Sequence, residues 1–238
     1  MGKAVERFRR QDGDGGTAGD GGADVLLRPA AGVYTYEGTG VEKLSVLSTH
    51  LRWGPRLPAT VVRKEGGCWN LRVEYSTKHW QSWTYCLGDA GLDEDGGSSF
   101  QSFDFVAFKV DDHIVFHCKP RNHTIKVEAD PGDSWKSSCS GASEQRGTHV
   151  TSSGTDTFLG VENVEVGDES VRAYHYLSER TMSGDQSGTE HTDTWFALSD
   201  GMPVKTERVV KAKSPSPIGD VTYTERGTYT LTSLRPRR

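Results

Sequence analysis

The chain has 238 residues, a formal net charge of −5 and 34% hydrophobic residues. That length suits one large all-β domain or two small ones, and it is ample for a buried core, since about 70% of the unfolded surface can be hidden at this size. The acidic balance argues against a nucleic-acid binder, which would carry a basic footprint, and no run of about 18 apolar residues offers a membrane helix. No charged-then-apolar leader is present either, so no signal peptide is expected within the chain. The 21 Val and 22 Thr outnumber 14 Leu and 13 Ala, and 28 Gly add turn capacity. β-branched residues sit well on a pleated surface, whereas Leu and Ala favour helices, so strands and turns should dominate.

In chain order, residues 1–10 read as a short basic, helix-compatible stub. Residues 11–24 are rich in Gly and Asp and cannot repay the entropy of ordering, so 1–28 are expected to form a flexible juxtamembrane linker. Asp12-Gly13-Asp14-Gly15 matches the opening of a calcium loop but lacks its closing Glu and flanking helices, and reads as linker. One β-rich domain is expected over 29–238. Val33-Tyr34-Thr35-Tyr36 ends at Gly38-Thr39-Gly40, and 41–48 follows. Ala59-Thr60-Val61-Val62-Arg63 turns at Glu65-Gly66-Gly67 into 69–75, and 80–85 comes next. Further strands are expected at 103–108, 114–118 and 124–129, the last closed by Asp130-Pro131-Gly132-Asp133. The longest are expected late, at 170–181, 189–198, 204–212 and 221–234. Short connections between alternating runs are the signature of hairpins. No stretch keeps a 3.6-residue stripe over 12 residues. The expectation is ten to twelve antiparallel strands with at most one or two short helices: an all-β fold built as a large curved antiparallel sheet, a half-barrel with meander connections. Tyr34–Thr39 and Tyr223–Thr228 look alike, which reads as coincidence or as two strands with similar neighbours, not as a duplication.

Four cysteines stand at Cys68, Cys86, Cys118 and Cys139. No CxxC pair suggests structural zinc. Three disulfide pairings are open to four cysteines. Pairing nearest neighbours, Cys68 with Cys86 and Cys118 with Cys139, ties adjacent strands in both cases, and each loop of about twenty residues is worth on the order of 3 kcal/mol. Four reduced, buried thiols are the alternative. Disulfides imply an extracytoplasmic site. The basic stub and linker then point to a membrane anchor upstream of this chain.

No catalytic constellation stands out. Gly132-Asp133-Ser134-Trp135 matches the opening of one esterase group only superficially and reads as a turn plus a core Trp. Neither a Gly-x-Ser-x-Gly elbow nor a phosphate-cradling loop occurs. His113 and His117 share a strand face but lie roughly 13 Å apart at 3.3 Å per residue, too far for one ion, so no metal and no cofactor are expected. Asn122-His123-Thr124 is a glycosylation sequon. Trp69, Trp83 and Trp195 fall within strands, with Trp80 beside them. They read either as core or as the lining of an apolar hollow behind a curved sheet, where small hydrophobic ligands bind.

Three segments carry a resemblance: Gly32-Val33-Tyr34-Thr35-Tyr36, the run from Val164 to Tyr174, and Trp195-Phe196-Ala197-Leu198-Ser199-Asp200-Gly201-Met202-Pro203-Val204. Together they resemble the half-barrel envelope proteins of the lipoprotein-carrier type, LolA and LppX, and uncharacterised anchored proteins of high-GC Gram-positive bacteria. The resemblance implies a non-enzymatic envelope domain that binds a lipid or other apolar ligand, and the strand pattern makes Trp69, Trp83 and Trp195 the expected ligand contacts. The alternative is a structural or interaction module of an envelope complex with no cavity. Expected partners are a lipid or apolar small molecule and an envelope protein, with no nucleic acid.

Overall fold

The computed structural model describes residues 28–46, 50–104, 109–215 and 219–237. The expected stub, linker and calcium-like loop, the end of the 41–48 strand and the segment 105–108 lie outside the described residues. Every regular element is a strand: β1 (Gly32–Leu44), β2 (His50–Arg52), β3 (Arg56–Arg63), β4 (Cys68–Ser76), β5 (His79–Gly88), β6 (Gly91–Asp104), β7 (Lys109–Lys126), β8 (Ser134–Ser143), β9 (His149–Val166), β10 (Glu169–Gly184), β11 (Ser187–Ala197), β12 (Pro203–Ser214) and β13 (Val221–Leu231). They form one antiparallel meander in which each strand from β3 onward pairs with the next.

The expected half-barrel is corrected on one point: the sheet closes. β13 returns to β1 through nine register pairs, from Tyr36–Leu231 to Leu44–Tyr223. On its other side β1 pairs with β3 through its first half and with β2 near its end. Twelve strands therefore make the barrel wall, and β2 is an added flap. The two look-alike segments found in the sequence lie in these two closing strands. Gly40 and Gly227 are direct partners in the seam. A Cβ on either would lie 2.2 or 2.1 Å from the indole of Trp53, so the glycine pair leaves the space that Trp53 fills. Trp53 stacks on Tyr75 at 4.3 Å, which pins the chain after β2 against β4.

The strand assignments differ from expectation in the middle of the chain. The expected strands at 114–118 and 124–129 are one strand, β7, which runs through Pro120 with register shifts against β6. β8 and most of β9 carried no apolar alternation and were not foreseen. Along β4 the alternation is plain: Trp69, Leu71, Val73 and Tyr75 face inward, with Asn70, Arg72 and Glu74 between them. The outer face of β12 carries Lys205, Glu207, Lys211 and Lys213, and that of β13 carries Thr224, Arg226 and Thr228. Charged and hydroxyl residues thus flank the exposed Val209 on these two strands, where a membrane-spanning barrel would carry an apolar outer band.

The interior is unequal along the axis. The end bounded by the turns at 64–67, 89–90 and 198–202 is packed solid with Tyr36, Leu57, Trp69, Leu92, Met202 and Leu231. Each large side chain buried there contributes about 1.5–3 kcal/mol. The final residues cross this end, where Val33 and Arg237 exchange backbone hydrogen bonds at 2.9 and 2.8 Å. Eight-stranded barrels are just filled by side chains, and sixteen strands leave a channel. Twelve strands fall between, and here half the lumen is filled and half is open.

Candidate functional site

The open half forms a cavity of about 230 Å³. Its floor is Trp83, Tyr85, Tyr176 and Phe196, and Ile114, Phe116, Val150, Val210 and Ala212 add apolar wall. Between them stand Gln81, Gln101, Glu94, Arg180, Glu190, Arg208, Tyr223 and Glu225. These residues reach the lumen because a two-residue strand period sends every second side chain inward. The cavity is therefore amphipathic, not purely apolar.

Two buried guanidinium clusters organise the polar part. Arg208 lies 3.1 Å from Glu190 and 3.3 Å from Glu225, and it donates to Gln81. Burial alone would lower its pKa, but Glu190 and Glu225 outweigh that and hold it well above its ordinary value, so the charge persists. Tyr223 donates its hydroxyl to Glu225 and accepts from Gln101 at 2.7 Å. Burial first, then Glu225 and Glu42, push the Tyr223 phenol far up, so it stays a donor. The second cluster sets Arg180 3.3 Å from Glu94 and 3.7 Å from Asp156. Arg180 also resists burial through these carboxylates.

Beside the first cluster, Glu42 takes the Trp53 indole N–H at 2.6 Å, and His79 Nδ1 lies 2.7 Å from the same oxygen. Glu42, His79 and Glu225 are all buried. These three side chains, together with the Arg208 and Arg180 clusters, escaped the sequence reading. Glu42 and Glu225 lie 183 positions apart and no local spacing joins them. Only the register of the closing strands does.

The tryptophans expected to share one concave face are divided. Trp83 is half-buried and lines the cavity. Trp69 faces inward but is fully buried in the packed end, 4.9 Å from Tyr85. Trp195 is also buried, in the same apolar cluster as Trp69, and is not among the cavity-lining residues although its neighbours Thr194 and Phe196 are. It stacks on His175 at 4.0 Å, donates to Glu162 at 2.8 Å and lies under Lys205 at 4.2 Å. His175 also sits 2.9 Å from both Glu162 and Asp193. The hydrogen bond from Trp195, then that from His175, holds the Glu162 carboxyl below its ordinary value.

Both disulfides follow the nearest-neighbour pairing. Cys68–Cys86 joins β4 to β5 at a direct register pair, and Cys118–Cys139 joins β7 to β8. A group of possible ligands at Glu94, Cys118 and Cys139 therefore has no thiolate to offer. Asn122 of the sequon is buried, donates to Cys139 Sγ at 3.0 Å and accepts from the Ser138 amide at 2.9 Å, which closes it to glycosylation in the folded barrel. Asp133 closes the expected turn with a bond to the Asp130 carbonyl at 2.9 Å, and Ser134 opens β8 as an exposed strand residue.

No protein-family model matches the chain, the lipoprotein carriers included, and no curated protein matches it. Among solved structures, the chain is similar to the hypothetical lipoprotein YmcC from Escherichia coli (K12), with a TM-score of 0.38 and 10% identity over 85% of each chain.

Proposed function

We propose that the chain is a non-enzymatic, extracytoplasmic binding barrel that holds a small amphipathic ligand in the open half of its lumen, tethered by an anchor upstream. The cavity of about 230 Å³, with an aromatic floor and a polar wall, carries this reading. The two disulfides support an oxidising compartment. Drug-sized ligands occupy about 300–1,000 Å³, so the fitting ligand is smaller: a single acyl chain or comparable apolar group with a polar head, not a two-chain phospholipid. Trp83 is its direct contact, and Trp69 shapes the floor beneath.

The test is titration with a fatty acid, a lysophospholipid and a diacyl phospholipid. Single-chain ligands should quench tryptophan emission, and less so in Trp83→Leu. At a hundred times Kd the folded state gains about 2.7 kcal/mol, a rise in Tm of about 5–10 °C for a chain of this size. No quenching and no shift with any of the three would refute the reading and favour an interaction module.

A further inference from the structure

Glu42 and Glu225 are direct register partners across the barrel seam, and both face inward. Like charges in that position repel. Their side chains are 0% and 1% exposed, and that of His79 is 3% exposed. One Glu42 oxygen, Oε2, is buried with no hydrogen-bond partner. Glu190 adds a third carboxylate to the region, and Arg208 supplies one guanidinium. Three carboxyl groups thus converge on one guanidinium, and two of them are almost fully buried. An uncompensated buried charge is costly, and a dication would cancel the excess.

We propose that Glu42, His79 and Glu225 form a binding site for a divalent transition-metal ion of the zinc class, held by His79 Nδ1 and one oxygen from each carboxylate. The geometry fits. The three ligand atoms lie within 4.8 Å of one another, with Nδ1 2.7 Å from Glu42 Oε1 and 3.9 Å from Glu225 Oε2. A tetrahedral ion with bonds of about 2.0–2.2 Å sets neighbouring ligands about 3.4 Å apart, and the two distances bracket that value. An imidazole nitrogen among the ligands favours zinc, cobalt or iron over calcium, which takes six to eight oxygens. Both carboxylates are already held in place, since Glu42 Oε1 also accepts from the Trp53 indole and Glu225 Oε2 from the Tyr223 hydroxyl. His79 and Glu225 also line the cavity, so an ion can enter from the open end and keep a position for water. Protons compete with a metal ion for imidazole and carboxylate ligands, so affinity falls as pH falls.

The site is independent of any lumenal lipid and is tested without one. The full chain is stripped with a chelator and titrated with Zn²⁺ and with Co²⁺ under non-reducing conditions, with calorimetry, metal analysis and thermal melts. One equivalent of metal per chain is expected, with a metal-dependent rise in Tm and weaker binding at low pH. Glu42→Gln and His79→Gln should each weaken binding at least tenfold. Glu42→Gln removes one of two opposed charges, so its metal-free form should melt no lower than the parent. His191→Gln, at an outer-wall histidine, should bind as the parent does. Absence of binding to the parent chain, or binding that survives both substitutions, would overturn the proposal.

Discussion

Removing the Trp53 side chain should cost more than any other single tryptophan truncation on the barrel wall. The indole is 4% exposed, stacks on Tyr75 and donates to Glu42. Trp→Ala in a core costs about 3–5 kcal/mol, and more where the hole cannot collapse. Here it cannot, because the facing positions are Gly40 and Gly227, which have no side chains to move in. The loss of a donor to a buried carboxylate adds about 1–3 kcal/mol. The sum is about 4–8 kcal/mol, or a fall in Tm of about 10–30 °C. Trp53→Phe keeps a ring and should lose about half as much, which guards against a variant that does not fold at all. Trp80 is the control. It is half-buried under Arg72, whose guanidinium carbon lies 3.6 Å from the ring centre, so Trp80→Ala should cost about 1 kcal/mol. Urea unfolding with the disulfides intact measures all three. A cost for Trp53→Ala below about 2 kcal/mol, or equal to that of Trp80→Ala, would refute the view that the seam is built around this indole.

Reduction should add four hydrogens to the intact mass and lower Tm, because each bridge closes a loop of 18 or 21 residues worth about 3 kcal/mol; an unchanged melt would show that the bridges do not constrain the unfolded chain. Arg180→Met should destabilise by about 3–5 kcal/mol by stranding Glu94 and Asp156, and Glu94→Gln with Asp156→Asn in the same chain should recover most of it in urea melts. Glu162 has a depressed carboxyl pKa, so its stabilising effect is present above its ordinary value near 4.5 and is lost as pH falls through the lower folded-state value. Melts between pH 6 and 3 should therefore show Glu162→Gln below the parent at pH 6 and the gap closing toward pH 3; a gap that widens on acidification would contradict the assignment.

The packed end of the barrel was legible in the sequence and the open end was not. β4 declares itself because Trp69, Leu71, Val73 and Tyr75 must fill space, so apolar and polar residues alternate. β8 and the first half of β9 bound the water-accessible half of the barrel, where Ser, Gly and Asp serve on the inner face. Their alternation is real, but it is polar against polar, and hydropathy cannot see it. The expected strands at 114–118 and 124–129 are joined through Pro120, which lacks the donor a central strand uses and which β7 accommodates through irregular register against β6. Closure was hidden for a different reason. It depends on pairing between strands nearly two hundred positions apart, and the small residues that allow it, Gly38, Gly40 and Gly227, look like ordinary turn glycines. The Glu42–His79–Glu225 triangle inherits the same invisibility, whereas the adjacent pairing of the cysteines followed directly from strand order.

Closure also decides how this protein can meet other chains. An open curved sheet would end in two strands with free backbone donors and acceptors, an invitation to strand addition, swapping or fibril growth. Here β1 and β13 consume each other's hydrogen bonds over nine register pairs, and the edges that remain are short: β2, three residues long with His50 and Arg52 exposed, and the stretch where β7 beyond His117 and β8 before Ser140 part from each other. A partner therefore finds no free backbone edge along the β1–β13 seam. The same closure removes the longest edge through which copies of the chain could add to one another.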